Sequence, residues 1–271
     1  MEPIIRQQCH EADGKKISSI QRFLLIEEPL LIRLADKPLI TLMRTPGNDV
    51  DLALGYLLTE GLISSKDDVG AISSCSSVSE MQNVVVVIPA SGARIDIGET
   101  YQRHVFSSCS ICGKDQIEKI AVSLKPFDRE NDLLTCEGIK GIREIMHERQ
   151  QYFAETGASH AAALALLPLD KDCLDNAIVC EDVGRHNALD KAVGIAIRTG
   201  VDLRRSVLFL SSRLSFEMVA KAARAGIAYV AGASAPTALA VDLARSLNMF
   251  LAGFARERKF TIYSGLDVIG S

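Results

Sequence analysis

The sequence has no excess of positive charge: 30 Lys and Arg face 34 Asp and Glu, for a net charge of −4. General binders of nucleic acid or anionic membrane carry a basic surplus that neutralises phosphate, so those classes are excluded, although a local basic patch is not. Long hydrophobic runs are also missing. The longest uncharged stretch, residues 225–241, falls short of the roughly 20 apolar residues of a spanning helix, and Gly232, Ser234 and Pro236 interrupt it. It reads as a buried strand followed by the start of a helix. Residues 1–22 hold Glu2, Arg6, Glu11, Asp13, Lys15 and Lys16 without an apolar core, so they read as a loose arm rather than a signal peptide or anchor. A disulfide framework is absent as well: the seven cysteines are odd in number and irregularly spaced, as in reduced cytoplasmic proteins. With 271 residues the chain makes one large or two smaller domains and can bury a core without staples.

Two rhythms divide what is present. Residues 23–106 read as a small α+β domain. Short apolar runs at 23–26, 30–34 and 39–43 predict strands, the last two forming a hairpin across Ala35–Asp36–Lys37. Thr45–Pro46–Gly47–Asn48 breaks the chain, and Asn48 or Asp49 can cap a helix carrying Leu52, Leu54, Leu57 and Leu58. Five consecutive β-branched residues, 84–88, predict a buried strand with the alternating residues 94–97 as its partner.

Residues 107–271 read as a three-layer α/β domain. After helices at 115–124 and 137–153, apolar strands at 161–167, 177–180, 207–210, 227–231 and 250–254 alternate with helices at 185–198, 215–225 and 236–247. That alternation predicts a largely parallel sheet covered on both faces, with ligands bound at the carboxyl ends of its strands. The segments expected there are Glu181–Asp182–Val183–Gly184–Arg185–His186–Asn187, Ser211–Ser212–Arg213–Leu214–Ser215, Ala233–Ser234–Ala235–Pro236–Thr237 and Ala255–Arg256–Glu257–Arg258–Lys259. In an acidic chain they gather Arg185, His186, Arg213, Arg256, Arg258 and Lys259 beside helix N-termini, which suits a phosphate-bearing small molecule. Solvated loop ends are the plainer account of these charges. The small residues Gly184, Ser211, Ser212, Ser215 and Ser234 tip the balance towards a ligand, because they let it approach the backbone.

Single residues divide in the same way. His186 is either a proton shuttle or ligand contact, or a histidine held by Asp182 or Asp190. His160 reads as structural, Glu181 and Asp182 as caps of the following helix, and Glu217 with Lys221 as a surface i,i+4 pair.

The strongest chemical signal is Ser108–Cys109–Ser110–Ile111–Cys112–Gly113–Lys114. Two thiols before a helix and a lysine favour the thiolate. Zinc would need two further ligands, and the other five cysteines are isolated and read as packing. A zinc deaminase would need His-x-Glu ahead of Pro-Cys-x-x-Cys; no histidine here is followed two residues later by glutamate, and Ser108 replaces the proline. A thiol–disulfide oxidoreductase, a persulfide carrier and a non-enzymatic cofactor chaperone stay open.

Several blocks together resemble the FdhD family of sulfur carriers needed for formate dehydrogenase. They are the cysteine pair, Thr156–Gly157 with His160–Ala161–Ala162–Ala163, the run from Glu181 to Lys191, Ser211–Ser212–Arg213 with Glu217–Met218–Val219, and Ser234–Ala235–Pro236–Thr237. Pro46, Leu52–Ala53–Leu54–Gly55–Tyr56 and Glu60–Gly61 are similar to the family's amino-terminal part; Ser110 stands where glycine is common. The resemblance implies a cytidine-deaminase-like α/β/α domain preceded by a smaller α+β part. It also implies a cytoplasmic sulfurtransferase that takes persulfide sulfur from a cysteine desulfurase. The acceptor would be the molybdenum cofactor in its bis(molybdopterin guanine dinucleotide) form, before insertion into the formate dehydrogenase apo-enzyme. Cys109 would carry the persulfide and Cys112 would be the second thiol. The cofactor-contacting segment would be Phe254–Ala255–Arg256–Glu257–Arg258–Lys259, with Gly184, Arg185, His186, Asn187, Ser212, Arg213 and Ser234 as further contacts. No resident metal is expected, and a homodimer is compatible with the sequence.

Overall fold

Two ten-residue strands, β1 (Ile4–Asp13) and β2 (Lys16–Leu25), pair antiparallel along their whole length. Gly14, at φ +59°, supplies the left-handed conformation that a two-residue hairpin turn demands. The arm expected at residues 1–22 is therefore a β-ribbon, because cross-strand pairs such as Cys9–Ile20 and Gln8–Gln21 lock its register. The computed structural model describes residues 3–75, 83–93, 95, 120–129, 134–256 and 259–270.

The expected hairpin is present as β3 (Glu28–Leu34) and β4 (Lys37–Arg44). With β5 (Val69–Cys75) and β6 (Val84–Pro89) it makes a four-stranded sheet in the order β4-β3-β6-β5. The neighbours of β6 are β3, parallel, and β5, antiparallel. Of the partner expected at 94–97, only Ile95 is among the described residues. The small and polar residues of β5 gave no apolar run to read. Helix α1 (Asp49–Thr59) follows the Thr45–Pro46–Gly47–Asn48 break as predicted, but the Asn48 side chain makes no capping bond.

The helix expected over 137–153 is two helices, α2 (Cys136–Arg149) and α3 (Gln151–Thr156). Gln150 between them has ψ 72°, and the Glu181 carboxylate takes the N–H groups of Tyr152 and Phe153 at 2.8 Å each. A continuous helix would have spent those donors on its own carbonyls. Of the helix predicted at 115–124, residues 120–123 are helical and 115–119 lie outside the described residues.

The remaining elements are β7 (His160–Leu166), α4 (Lys171–Asp175), β8 (Ile178–Asp182), α5 (Arg185–Thr199), β9 (Ser206–Leu210), α6 (Phe216–Arg224), β10 (Tyr229–Gly232), α7 (Ala238–Ser246), β11 (Phe250–Gly253) and β12 (Thr261–Ser264). They build a six-stranded sheet in the order β12-β11-β10-β9-β7-β8. Only β9, β10 and β11 are mutually parallel; β7 is antiparallel to both β8 and β9, and β12 to β11. The expectation of a largely parallel sheet fails at β7 because the stretch joining β7 to β8 holds only the five-residue α4, and short connections make antiparallel neighbours. This mixed pairing still points β8, β9, β10 and β11 the same way. Their carboxyl ends share one edge with the first residue of β7, His160.

Both faces of this sheet are covered. Ala162, Leu164, Leu208, Leu210, Val230 and Leu251 pack into a cluster with α1, α5, α6, α7 and the four-stranded sheet. Their alternates Ala161, Ala163, Val207, Phe209, Ala231 and Ala252 pack with Ile139, Ile142 and Met146 of α2. The first cluster runs without interruption from Leu30 and Ile32 through Leu57 to Val193 and Val219. The division expected between residues 106 and 107 lies outside the described residues. Helices α1 and α5 approach to backbone contact: a Cβ on Gly55 would lie 1.8 Å from the Asp190 carbonyl oxygen, and one on Gly194 would lie 1.9 Å from that of Asp51. No helix among the described residues is long and apolar enough to cross a membrane.

Candidate functional site

Four loops lie at the shared strand-end edge, and backbone bonds stitch together the three that follow β9, β10 and β11. Phe254 N–H donates to the Ser234 carbonyl at 3.1 Å, Ala255 N–H to Gly232 at 3.0 Å, Leu214 N–H to Ala235 at 3.1 Å, and Ala233 N–H to Leu210 at 2.9 Å. Ser211 extends the pairing of β9 with β7, its N–H donating to the Ala161 carbonyl and its Oγ accepting from Ala161 N–H at 2.8 Å. The loops expected from sequence to surround a ligand are thus brought together.

The loop after β8 is held from beneath. Asp182 is fully buried; it accepts from Gly184 N–H and Asn187 Nδ2, both at 2.9 Å, and pairs with Lys191 Nζ at 2.7 Å. It also accepts from Thr45 N–H at 3.1 Å, while Lys191 Nζ donates to the Thr45 carbonyl and Val183 N–H to Thr45 Oγ1. Asn187 Nδ2 reaches the Met43 carbonyl at 2.7 Å. The β4–α1 turn is therefore clamped to the strand end, a contribution of Thr45 that local sequence did not disclose. Glu181 caps α3, an earlier helix, whereas the expectation placed its cap on the following one; Ser159 Oγ donates to it at 2.6 Å.

Arg185, His186 and Asn187 open α5, with Gly184 at its N-cap. His186 Nε2 lies 2.9 Å from Glu217 Oε2, so its partner is neither Asp182 nor Asp190. Nor do Glu217 and Lys221 form the expected surface pair. Lys221 turns inward, to Glu60 at 2.8 Å and Asp190 at 2.9 Å, because α1 and α5 place carboxylates there that a helix-local reading cannot see. The Arg185 Nε and the Ser215 Oγ are buried without a hydrogen-bond partner among the described residues. His160 is held below the usual imidazole value, first by burial and then by Arg185 and His186, which leaves it neutral near pH 7.

Arg213 is exposed, and Ser212 is buried with its Oγ donating to the Arg213 carbonyl. Phe254 is exposed at φ +53°; Arg256 and Lys259 close a short loop, Arg256 N–H donating to the Lys259 carbonyl at 2.9 Å. With Phe260 and Thr261 these three side chains line a cavity of about 270 Å³. A second cavity, about 410 Å³, opens beside His160, Ser211 and Ala233 against α2 and α3; its residues Arg143, His147 and Gln150 were not singled out from sequence. Cys109, Cys112, Glu257 and Arg258 lie outside the described residues. Cys180 is buried, and burial pushes its thiol up to about 12, an unreactive packing residue as expected. Among the described residues no group of three or more His, Cys, Asp and Glu is placed to hold a metal ion.

Known proteins of similar sequence and shape agree with one another. Two relatives named sulfur carrier protein FdhD are close in sequence. The one from Streptomyces coelicolor is 42% identical over 254 residues, covering 90% of this chain and 88% of its own. The one from Mycolicibacterium paratuberculosis is 38% identical over 273 residues and 98% of both chains. A solved structure described as a formate dehydrogenase accessory protein from Desulfotalea psychrophila has the same fold, with a TM-score of 0.78 at 21% identity over 99% of this chain and all of that one. The family model described as the FdhD/NarQ family matches residues 25–269, so the chain belongs to that family.

Proposed function

We propose that this protein is a cytoplasmic sulfur carrier that serves formate dehydrogenase. The observation that carries the reading is the placement of four small-residue or basic loops, three of them bearing Arg185, Arg213 or Arg256 with Lys259, along one strand-end edge, in a chain whose relatives are named sulfur carriers. Cys109 is the acceptor: its thiolate attacks the outer sulfur of a persulfide on a cysteine desulfurase, that donor's S–S bond breaks, and the donor cysteine leaves as thiolate. For delivery, the Cys112 thiolate attacks the Cys109 sulfur and releases hydrosulfide to molybdenum. The resulting Cys109–Cys112 disulfide is reopened by a dithiol reductant.

The acceptor substrate is the molybdenum cofactor carrying two guanine dinucleotides. Its pyrophosphates suit Arg185, Arg213, Arg256 and Lys259, since charge-assisted bonds to phosphate are strong and directional. The buried, unpartnered Nε of Arg185 supports the fit, because an orphaned guanidinium donor at a ligand edge lacks the partner a phosphate would supply. We read the sheet with its two covered faces as cytidine-deaminase-like, with residues 23–106 as the smaller part ahead of it.

Incubation with a cysteine desulfurase and cysteine should add one sulfur to the intact mass, and Cys109→Ala should abolish the addition. An unchanged wild-type mass sinks the persulfide step. Reductase activity on protein disulfides without sulfur uptake would point to the oxidoreductase instead.

A further inference from the structure

We infer that His186 and Glu217 form a proton-donating pair at the strand-end edge, with His186 the acid that lets sulfur leave as hydrosulfide and Glu217 the residue that positions it. The inference rests on the proposed function and deepens its delivery step.

The two side chains come from different elements. His186 stands in the first turn of α5 and Glu217 in the first turn of α6, and Nε2 of one lies 2.9 Å from Oε2 of the other. They are 18% and 20% exposed, so the pair is neither sealed in the core nor free in water. Glu217 takes Nε2, which leaves Nδ1 without a partner among the described residues. An imidazole oriented through one nitrogen by a carboxylate and open at the other is an arrangement that holds a transferable proton.

A second observation marks the same place. The buried Arg185 Nε and Ser215 Oγ have no hydrogen-bond partner among the described residues. Arg185 immediately precedes His186, and Ser215, at the N-cap of α6, lies two residues before Glu217. Buried groups of this kind almost always find partners, so two orphaned ones flanking a single pair mark where a bound group completes the bonding. The other charged groups around His186 are Arg185, Asp182, His160, and Glu60 with Lys221 and Arg224. Asp182 is engaged by Lys191 at 2.7 Å and Glu60 by Lys221 at 2.8 Å, and His160 is neutral, so Glu217 is the carboxylate that orients His186.

Delivery needs such a donor. A persulfide is a stronger acid than a thiol, so its outer sulfur is ionised near neutral pH and would have to leave as the sulfide dianion, a far more basic leaving group. With one proton moved from the His186 imidazolium to that outer sulfur, the Cys112 thiolate attacks the Cys109 sulfur. The bond from Cys109 to the outer sulfur breaks, the electron pair goes with the outer sulfur, and hydrosulfide leaves. The Cys109–Cys112 disulfide takes over the oxidation level of the persulfide, and His186, left neutral, is reprotonated from water. Because the sulfur is handed over where the acceptor is held, the proton is supplied at the strand-end edge.

Single-turnover release of hydrosulfide tests the pair, using the full chain loaded with one sulfur by a cysteine desulfurase and cysteine and a fluorogenic sulfide probe across pH. In the wild type the joint need for a thiolate and an imidazolium should give a bell-shaped profile. His186→Gln should slow release about a hundredfold at neutral pH and remove the alkaline limb. Glu217→Gln should slow it about tenfold when His186 is present and change nothing further in the His186→Gln background. Unchanged rates, an alkaline limb that persists in His186→Gln, or additive losses in the double variant would each overturn the pair. Folded variants that cannot be loaded overturn it too, since the pair would then act in uptake. A wild type that takes up no sulfur breaks the sulfur-carrier reading, and the pair falls with it; one that loads and then releases sulfur as its variants do breaks the pair alone.

Discussion

The junction of α1, α5 and α6 and the cavity beside α2 and α3 both carry polar side chains between packed elements, and they treat them in opposite ways. At the junction every group is matched. Lys221 Nζ reaches Glu60, Asp190 and the Thr59 hydroxyl within 2.9 Å and lies 5.2 Å from the Tyr56 ring centre, while Thr59 donates to Asp190 at 2.7 Å. At the cavity Gln150 and Arg143 have no partner among the described residues. A matched cluster joins elements distant in sequence, here residues 56–60 with 190 and 221. An unmatched one joins nothing by itself.

Breaking the junction should have the largest effect. Lys221→Met strands the Asp190 and Glu60 carboxylates, and removal of one member of a buried charge cluster costs about 3–5 kcal/mol. Denaturant unfolding should show that loss; a change under about 1 kcal/mol would mean the cluster is not the joint described. A smaller effect concerns pH. Burial raises the Glu60 carboxyl, but Lys221 and then Arg224 outweigh it and hold the group below its ordinary 4.5. A depressed carboxyl contributes stability above its unfolded value and loses it as pH falls through the folded one. Unfolding free energy should therefore drop below about pH 4.5 more steeply in the wild type than in Glu60→Gln, and parallel acid limbs would contradict this. The smallest effect belongs to the cavity: Gln150→Leu should leave unfolding free energy within about 0.5 kcal/mol of wild type, because no bond within the chain is lost. A large loss would place Gln150 among the matched groups and erase the contrast.

Much of this fold is legible as pattern. The alternation of apolar runs and amphipathic stretches after residue 160 locates β7 to β11 and three helices to within a few residues, since each strand is buried on both faces and reads as continuous hydrophobicity. The same alternation misassigns the direction of β7, because a strand's burial carries no sign of its direction. The charges near 181–187 lie at the strand-end edge where the alternation places them, whereas the partners of His186 and Lys221 come from other helices and are invisible to i,i+4 spacing. Gln150 gives no signal in sequence, since a glutamine near a helix end is ordinary until Glu181 breaks the helix beneath it.

The sequence by itself determined the element order, the absence of a basic surplus, the Cys109–Cys112 spacing and the family blocks, all of which are local or additive along the chain. The tertiary structure alone decided that four loops share one edge, that Thr45 and Asp182 are bonded, and that Lys221 is enclosed rather than solvated. Those facts depend on strand order and on two glycines that let α1 and α5 touch, and such long-range pairings bring together residues whose separation in sequence carries no trace of their contact.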